Sequence, residues 1–527
     1  MNIASPGTET AIFVVFMLFV GFCMLLCVWV VPESDDAAEF YTANRSLSPR
    51  RNALAIAGDY VTAITFLATT AVVAAAGYDG ILIACGTVMS LLLVMVLFAE
   101  PLRNLGGYTL GETFSRRIPG RQVRAAAALV TVLVCLPFLV VQLSAISSVL
   151  VYLLGFGGRS ATMLCVTIVG VLMISYAAMG GMRGTGVIQI IKVALLSVTV
   201  SALALLTLAR VDWNIGTLLS VAARGSGRST AFLGPGLEFG SGFEGRLDDF
   251  SFLTAIVFGA ACTPHVIMRL FASRNAREAR ASMRLAVGIT GLLCALIAVL
   301  GLGVAALVGA AGVKAADPSG LSDVLLLSHQ LNGGGVLVVL TACAIFATQL
   351  AAVAGVTLAA GSSLAHDVMT RIRRRRPAAE GGEVTAARLG IVGVGVLGIA
   401  LALLVQQWNA IAIAGLGVDL AASAIFPALV YCVAWPGFTR AGLLSCLYGA
   451  CAAVLVLTAF SPAVSGLPTS LFPHRSFDWF PLWNPGLITV PLGFALGWIG
   501  SRLGPRLSPA DFRAFESQSV TGVPVSH

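Results

Sequence analysis

Along nearly the whole chain, apolar runs of about twenty residues alternate with short polar connections. Their approximate limits are 11–31, 53–76, 80–99, 125–154, 161–179, 186–209, 250–268, 285–311, 335–364, 387–405, 409–433, 441–460 and 487–502. Each is near the roughly 20 residues a helix needs to cross about 30 Å of hydrocarbon, so the pattern predicts an all-α polytopic membrane protein with about 13 transmembrane helices. The last run is the weakest, because Pro485 and Pro491 interrupt it. The first follows Glu9 without a basic leader or a small-residue cleavage signal, which predicts a retained helix rather than a cleaved signal peptide. Residues 1–510 read as one transmembrane domain and 511–527 as a short cytoplasmic tail.

Composition agrees: 58% of the 527 residues are hydrophobic and 11% charged, against about 25% charged in a soluble domain. With the N-terminus placed outside, seven of the 32 Lys and Arg fall on outer connections: Arg159, Arg210, Arg224, Arg228, Arg246, Lys314 and Arg475. The rest lie on or near the cytoplasmic side, among them Arg116, Arg117, Arg121 and Arg124, then Arg274, Arg277, Arg280 and Arg284. This positive-inside asymmetry predicts an outer N-terminus and an inner C-terminus. It also accounts for the net charge of +8 without any nucleic-acid partner. The run Arg371, Arg373, Arg374, Arg375 and Arg376 reads as a lipid-facing topology anchor. The long outer connections, roughly 211–249 and 461–486, look like lids or packing loops. All eleven cysteines fall in or beside apolar runs with no CxxC pair, a poor basis for disulfides or zinc.

Several chemistries are excluded by inventory. Neither lysine, Lys192 or Lys314, follows glycine, so there is no phosphate-binding loop. No HExxH and no GxSxG occurs, so no resident cofactor and no enzymatic activity are expected. Transport coupled to an ion gradient survives.

Charge inside the bilayer costs at least a few kcal/mol, which makes each buried ionisable group a functional candidate. Asp59 follows Gly58 and precedes Thr62, Thr65, Thr69 and Thr70, so polar groups interrupt the second span. A glycine beside a carboxylate suits an unwound helix offering carbonyls to a cation; a helix-pairing carboxylate near the inner surface is the alternative. Asp419 lies mid-span among apolar neighbours and should be neutral or paired, as a proton-binding site or as a packing carboxyl. Pro264 can break the seventh span, and His265 and Arg269 share one face beyond it, as an inner gate or as an anchor. Gln142, five residues after Pro137, is a substrate contact or an interhelical hydrogen bond. Lys192 is read as snorkelling to the surface or meeting an anion.

In their order and spacing these residues resemble the sodium:solute symporter family, and within it the cation/acetate symporter branch. The likeness rests on Phe40-Tyr41-Thr42-Ala43, the stretch 54–60, Gly77-Tyr78-Asp79-Gly80, the stretch 102–106, Gly180-Gly181-Met182, Gln189 to Lys192, Pro264-His265 with Arg269, the stretch 353–359, and His366-Asp367. The resemblance implies a LeuT-type core of two five-helix inverted repeats, here about 53–209 and 250–433. It implies a midplane site between the broken first helices of the repeats, with substrate contacts around Thr62, Gln142, Thr254 and Phe258. It also implies a cation site beside Asp59 on the Ala57 and Tyr60 carbonyls, completed by two adjacent hydroxyls of the ninth span. Those positions are Ala351 and Ala352 here, and the nearest threonines are Thr348 and Thr357, which leaves sodium or proton coupling open. Asp419 and Ile425 replace residues the branch keeps small and apolar or Asn. The function so implied is symport of acetate or another short monocarboxylate with Na+ or H+ into a bacterium, across its cytoplasmic membrane. The rivals are symport of another small solute (amino acid, vitamin or sugar), a non-transporting sensor, and a channel.

Overall fold

Lipid offers no partner for backbone N–H and C=O groups, so apolar runs of this length must satisfy them internally as helices. The computed structural model describes residues 6–29, 36–154, 158–240, 242–316, 320–332, 335–369, 382–406, 408–468, 470–505 and 508–523, and these are overwhelmingly helical. The run from Arg371 to Arg376 lies outside them. The principal helices are α1 (Pro6–Trp29), α2 (Pro49–Tyr60), α3 (Ile64–Ala76), α4 (Tyr78–Leu97), α5 (Leu110–Arg117), α6 (Arg121–Leu154), α7 (Arg159–Ala209) and α8 (Phe243–Ala260). There follow α9 (Pro264–Phe271), α10 (Ala276–Ala316), α11 (Gly335–Met369), α12 (Gly382–Leu404), α13 (Ala410–Ala434), α14 (Arg440–Ala459), α15 (Gly486–Leu503) and α16 (Pro509–Thr521).

Among the described residues ten helices are long and apolar enough to cross a membrane, or up to eleven if α2 and α3 form one bent span. The sequence pattern predicts about 13. The difference lies at two places. The described apolar part of α1 is the shorter stretch Phe13–Leu26. The predicted fifth and sixth spans are the two halves of α7, which are counted together but are separated by a kink at Gly181, where φ is 52° and ψ −156°. A Cβ there would come within 2.9 Å of the Phe40 ring, so glycine alone makes this bend against its neighbour.

Two further breaks position the site. α2 ends at Tyr60, Val61 leaves helical geometry at ψ 73°, and α3 resumes at an angle of 61°. α8 ends at Ala260, Thr263 is extended, and Pro264 opens α9, where its missing N–H costs nothing. Around them α11 and α13 form the interior, with 83% and 89% of their apolar windows buried, whereas α4 and α15 bury only 39% and so face outward.

Residues 236–238, in the connection before α8, give three N–H groups to Asp79 at 3.0, 2.7 and 2.9 Å. The terminal segment expected as a tail includes α16, which docks on the short helix before α5: Asn104 Nδ2 donates to the Ser519 carbonyl at 2.9 Å. The Arg117 guanidinium lies 4.6 Å from the Phe512 ring.

Candidate functional site

The break between α2 and α3 is held open by its own polar side chains. The Thr62 N–H donates to the Tyr60 carbonyl at 3.0 Å, and Thr65 Oγ1 donates to the same oxygen at 2.7 Å. The Ala63 N–H, left without a helical acceptor, donates to Gln142 Oε1 at 3.3 Å. Tyr60 in turn donates its hydroxyl to the Ala260 carbonyl at 2.9 Å, tying the first break to the second. Between the two breaks is a cavity of about 80 Å³. Its walls are mostly apolar, among them Ile83, Phe138, Phe252, Ile256, Ala414 and Val418. Its polar groups are Asp59, Thr62, Thr65, Thr87, Gln142, Thr263 and His265, with those of Tyr60 and Thr69. An apolar chamber with a few converging polar groups is how a small-molecule site is built. Gln142 Nε2 and His265 Nδ1 are buried there with no hydrogen-bond partner among the described residues.

Beneath the cavity lies a buried ionic cluster. Asp59 Oδ2 accepts from Arg269 Nε at 2.6 Å and Oδ1 from Gln189 Nε2 at 2.5 Å. Lys192 Nζ donates to the Gly58 carbonyl at 2.5 Å. Asp59 is eight residues past Arg51, roughly 12 Å along the helix, so the cluster is deep in the span. Lys192 is fully buried, which corrects the reading of a snorkelling lysine: the Gly58 carbonyl, in the last turn before the break, holds the ammonium inside. Arg269 is likewise deep and 1% exposed, paired with Asp59 and not with His265. His265 turns to the cavity wall, its ring 6.0 Å from that of Phe138.

The other expected site residues divide. Thr62 and Gln142 line the cavity; Thr254 and Phe258 do not. Thr254 donates to the Phe250 carbonyl of its own helix at 2.8 Å, and Phe258 packs 4.6 Å from Phe426. The residues of α8 that reach the cavity are Phe252, Ile256 and Ala260, spaced by four along one face, and an offset of two residues turns a helix by about 200°. The Ala57 carbonyl accepts from the Val61 N–H at 2.9 Å. Thr348 and Thr357 are buried and donate to Ala344 and Val353 of their own helix at 2.7 and 2.6 Å. What α11 presents to Asp59 is Gly355, while the Ala351 carbonyl accepts from Gln189 at 3.2 Å. Asp419 is 1% exposed and lies behind the cavity wall, beside the lining residue Val418.

Residues 40–449 match the model of the sodium:solute symporter family. The chain belongs to the sodium:solute symporter family. Across 99% of its length this family member is 35% identical to a monocarboxylic acid transporter of Corynebacterium glutamicum, covering 96% of that protein. It is 33% identical to the uncharacterized symporter YwcA of Bacillus subtilis, with 97% and 98% of the two chains aligned. Among solved structures, a Na+-coupled sialic acid symporter superposes with a TM-score of 0.71 at 14% identity, over 94% of this chain and 99% of that one. MhsT in complex with L-phenylalanine gives 0.51 at 15% identity, over 86% and 98%. These likenesses carry the fold, which is LeuT-type. As a sodium:solute symporter the protein is a multi-pass membrane transporter that moves solute together with a cation.

Proposed function

We propose that the protein imports a short monocarboxylate, acetate or one close to it in size, in symport with sodium or protons across a bacterial cytoplasmic membrane. Its N-terminus is assigned to the outside, as the arginine distribution favours. The observation that carries the substrate class is the cluster under the cavity. Lys192 and Arg269 formally carry two positive charges against the single carboxylate of Asp59. Burying an unbalanced charge costs several kcal/mol, and an anion in the cavity above offsets part of that cost. The unpartnered Gln142 Nε2 offers such an anion a donor, and the apolar walls accept a short alkyl chain. The aligned Corynebacterium glutamicum relative, named a monocarboxylic acid transporter, supports the same class. Thr62 and Gln142 are assigned to substrate and the Ala57 carbonyl to the coupling cation, since the Tyr60 carbonyl already accepts from Thr62 and Thr65.

One net charge crossing 100 mV supplies about 2.3 kcal/mol, close to fiftyfold accumulation. A monoanion therefore needs more than one monovalent cation to use the potential. The test is uptake of labelled acetate into proteoliposomes under a sodium gradient and a pH gradient imposed one at a time, with unlabelled solutes as competitors. Stimulation by either gradient, with competition by short monocarboxylates, is expected. No stimulation by either would remove symport; competition only by amino acids, vitamins or sugars would replace the substrate.

A further inference from the structure

Behind the cavity wall, α8, α13 and the start of α15 enclose a second polar group of residues. Asp248 of α8 accepts the Trp483 and Asn484 N–H groups at 2.9 and 3.0 Å, so both its oxygens have donors. Ser251 donates to the Asn484 carbonyl at 2.6 Å and accepts the Leu487 N–H at 2.9 Å, fixing the start of α15 on α8. Asp419 is different. Its Oδ1 is buried with no hydrogen-bond partner among the described residues, and it packs against Gly486, where a Cβ would lie only 2.8 Å away.

A bare carboxylate in such a place costs several kcal/mol unless a counter-charge or a proton cancels it. Among the described residues no cationic side chain pairs with it. The group whose charge reaches Asp419 is Asp248, of like sign, with Glu244 beyond it. Arg246, the basic residue of α8, lies against Gly236 instead. On α6 the basic residues Arg121 and Arg124 are at the far end; α15 carries only Arg502, also far; α3 carries none, and the part of α14 packed on α13 contributes only Cys451. A metal cation would need several free oxygens. Here the Asp248 oxygens are engaged, and the buried Asn484 Nδ2, itself unpartnered, presents hydrogens.

We propose that Asp419 is a proton-binding site, and that a proton held on its carboxyl is one of the coupling cations. The proposal rests on the symport reading given above. The proton is taken from water on one side and returned to water on the other, forming and breaking one O–H bond. Val418 and Ala414 of α13, with Phe252 and Ile256 of α8, line the cavity, so the two helices that grip the proton also form the wall against solute. Losing the proton puts an unmatched charge between them and forces that wall to rearrange.

Infrared difference spectroscopy of the protein in lipid vesicles tests this without any transported solute, so the identity of the substrate does not enter. A protonated-carboxyl band is expected at pH 7, lost at alkaline pH, absent in Asp419→Asn, and present at a shifted frequency in Asp419→Glu. The Glu variant keeps the test decisive where the Asn variant does not fold. A band missing from the parent protein, one unchanged in both variants, or one abolished by replacing choline with sodium at fixed pH would overturn the proposal.

Discussion

Arg269 Nε and Asp59 Oδ2 meet at 2.6 Å although 210 residues separate them, with side chains 2% and 1% exposed. The pair joins the first broken helix of one repeat to that of the other. Removing one partner of a buried pair leaves an uncompensated charge at a cost of roughly 3–5 kcal/mol. Arg269→Ala is therefore expected to lower the melting temperature sharply, and Asp59→Asn to abolish gradient-driven uptake. Wild-type uptake in the Asp59 variant would take that carboxylate out of the coupling machinery.

Gln142→Leu separates capping from packing. The change leaves the Ala63 N–H without its acceptor, a loss of about 1–3 kcal/mol, and takes a donor from the cavity. A rise in KM of roughly tenfold or more is expected. An unchanged KM in concentration-dependent uptake would make Gln142 a structural amide only.

On α8 the face that matters is testable by a pair of variants. Phe252→Ala opens the cavity wall and should cost about 3 kcal/mol or more while weakening solute binding. Thr254→Ala, two residues on and bonded only to its own helix, should stay within about 0.5 kcal/mol and transport normally. The reverse ranking in parallel uptake assays would contradict the geometry.

A pH effect follows at the start of α5. Burial pushes the Glu112 carboxyl up, but the hydrogen bond and charge of His366, the Tyr108 N–H and Arg116 together outweigh it and hold the group at about 2. His366 also contacts Glu383 at 2.7 Å, so the Glu112 contact at 3.3 Å fastens α5 to the ends of α11 and α12. A carboxyl depressed in the folded state stabilises it above its ordinary value of 4.5, and the contribution fades as pH falls from there toward about 2. Glu112→Gln should melt lower than the parent at pH 7, with the gap narrowing below about pH 4.5. A gap independent of pH would assign the loss to packing instead.

Gly58-Asp59 and Pro264 announced both broken helices, because a glycine beside a carboxylate and a proline inside an apolar run each conflict with a continuous span. Gln142 was legible for a similar reason: a buried amide needs partners. The bend at Gly181 was visible only as a gap between apolar runs, and the chain crosses it in a single non-helical residue. The orientation of α8 was not legible, since Thr254 and Phe252 are chemically plausible liners and only packing decides which face turns inward. Nor was the fate of Lys192: its acceptor is a carbonyl freed by a break 134 positions earlier, and no local pattern encodes that meeting.

Arg117 donates to the carbonyls of Tyr431, Cys432 and Trp435 at the end of α13 and lies over the rings of Phe512 and Phe515 in α16. All of these partners emerge late in synthesis. At about 5–20 residues per second, the roughly 400 residues between Arg117 and Phe512 take tens of seconds to translate. For most of that interval the guanidinium lacks its carbonyls, and for all of it the rings. α16 thus clasps a helix made about 400 residues before it, and a chain cut short before Phe512 would leave the Arg117 guanidinium without its covering rings.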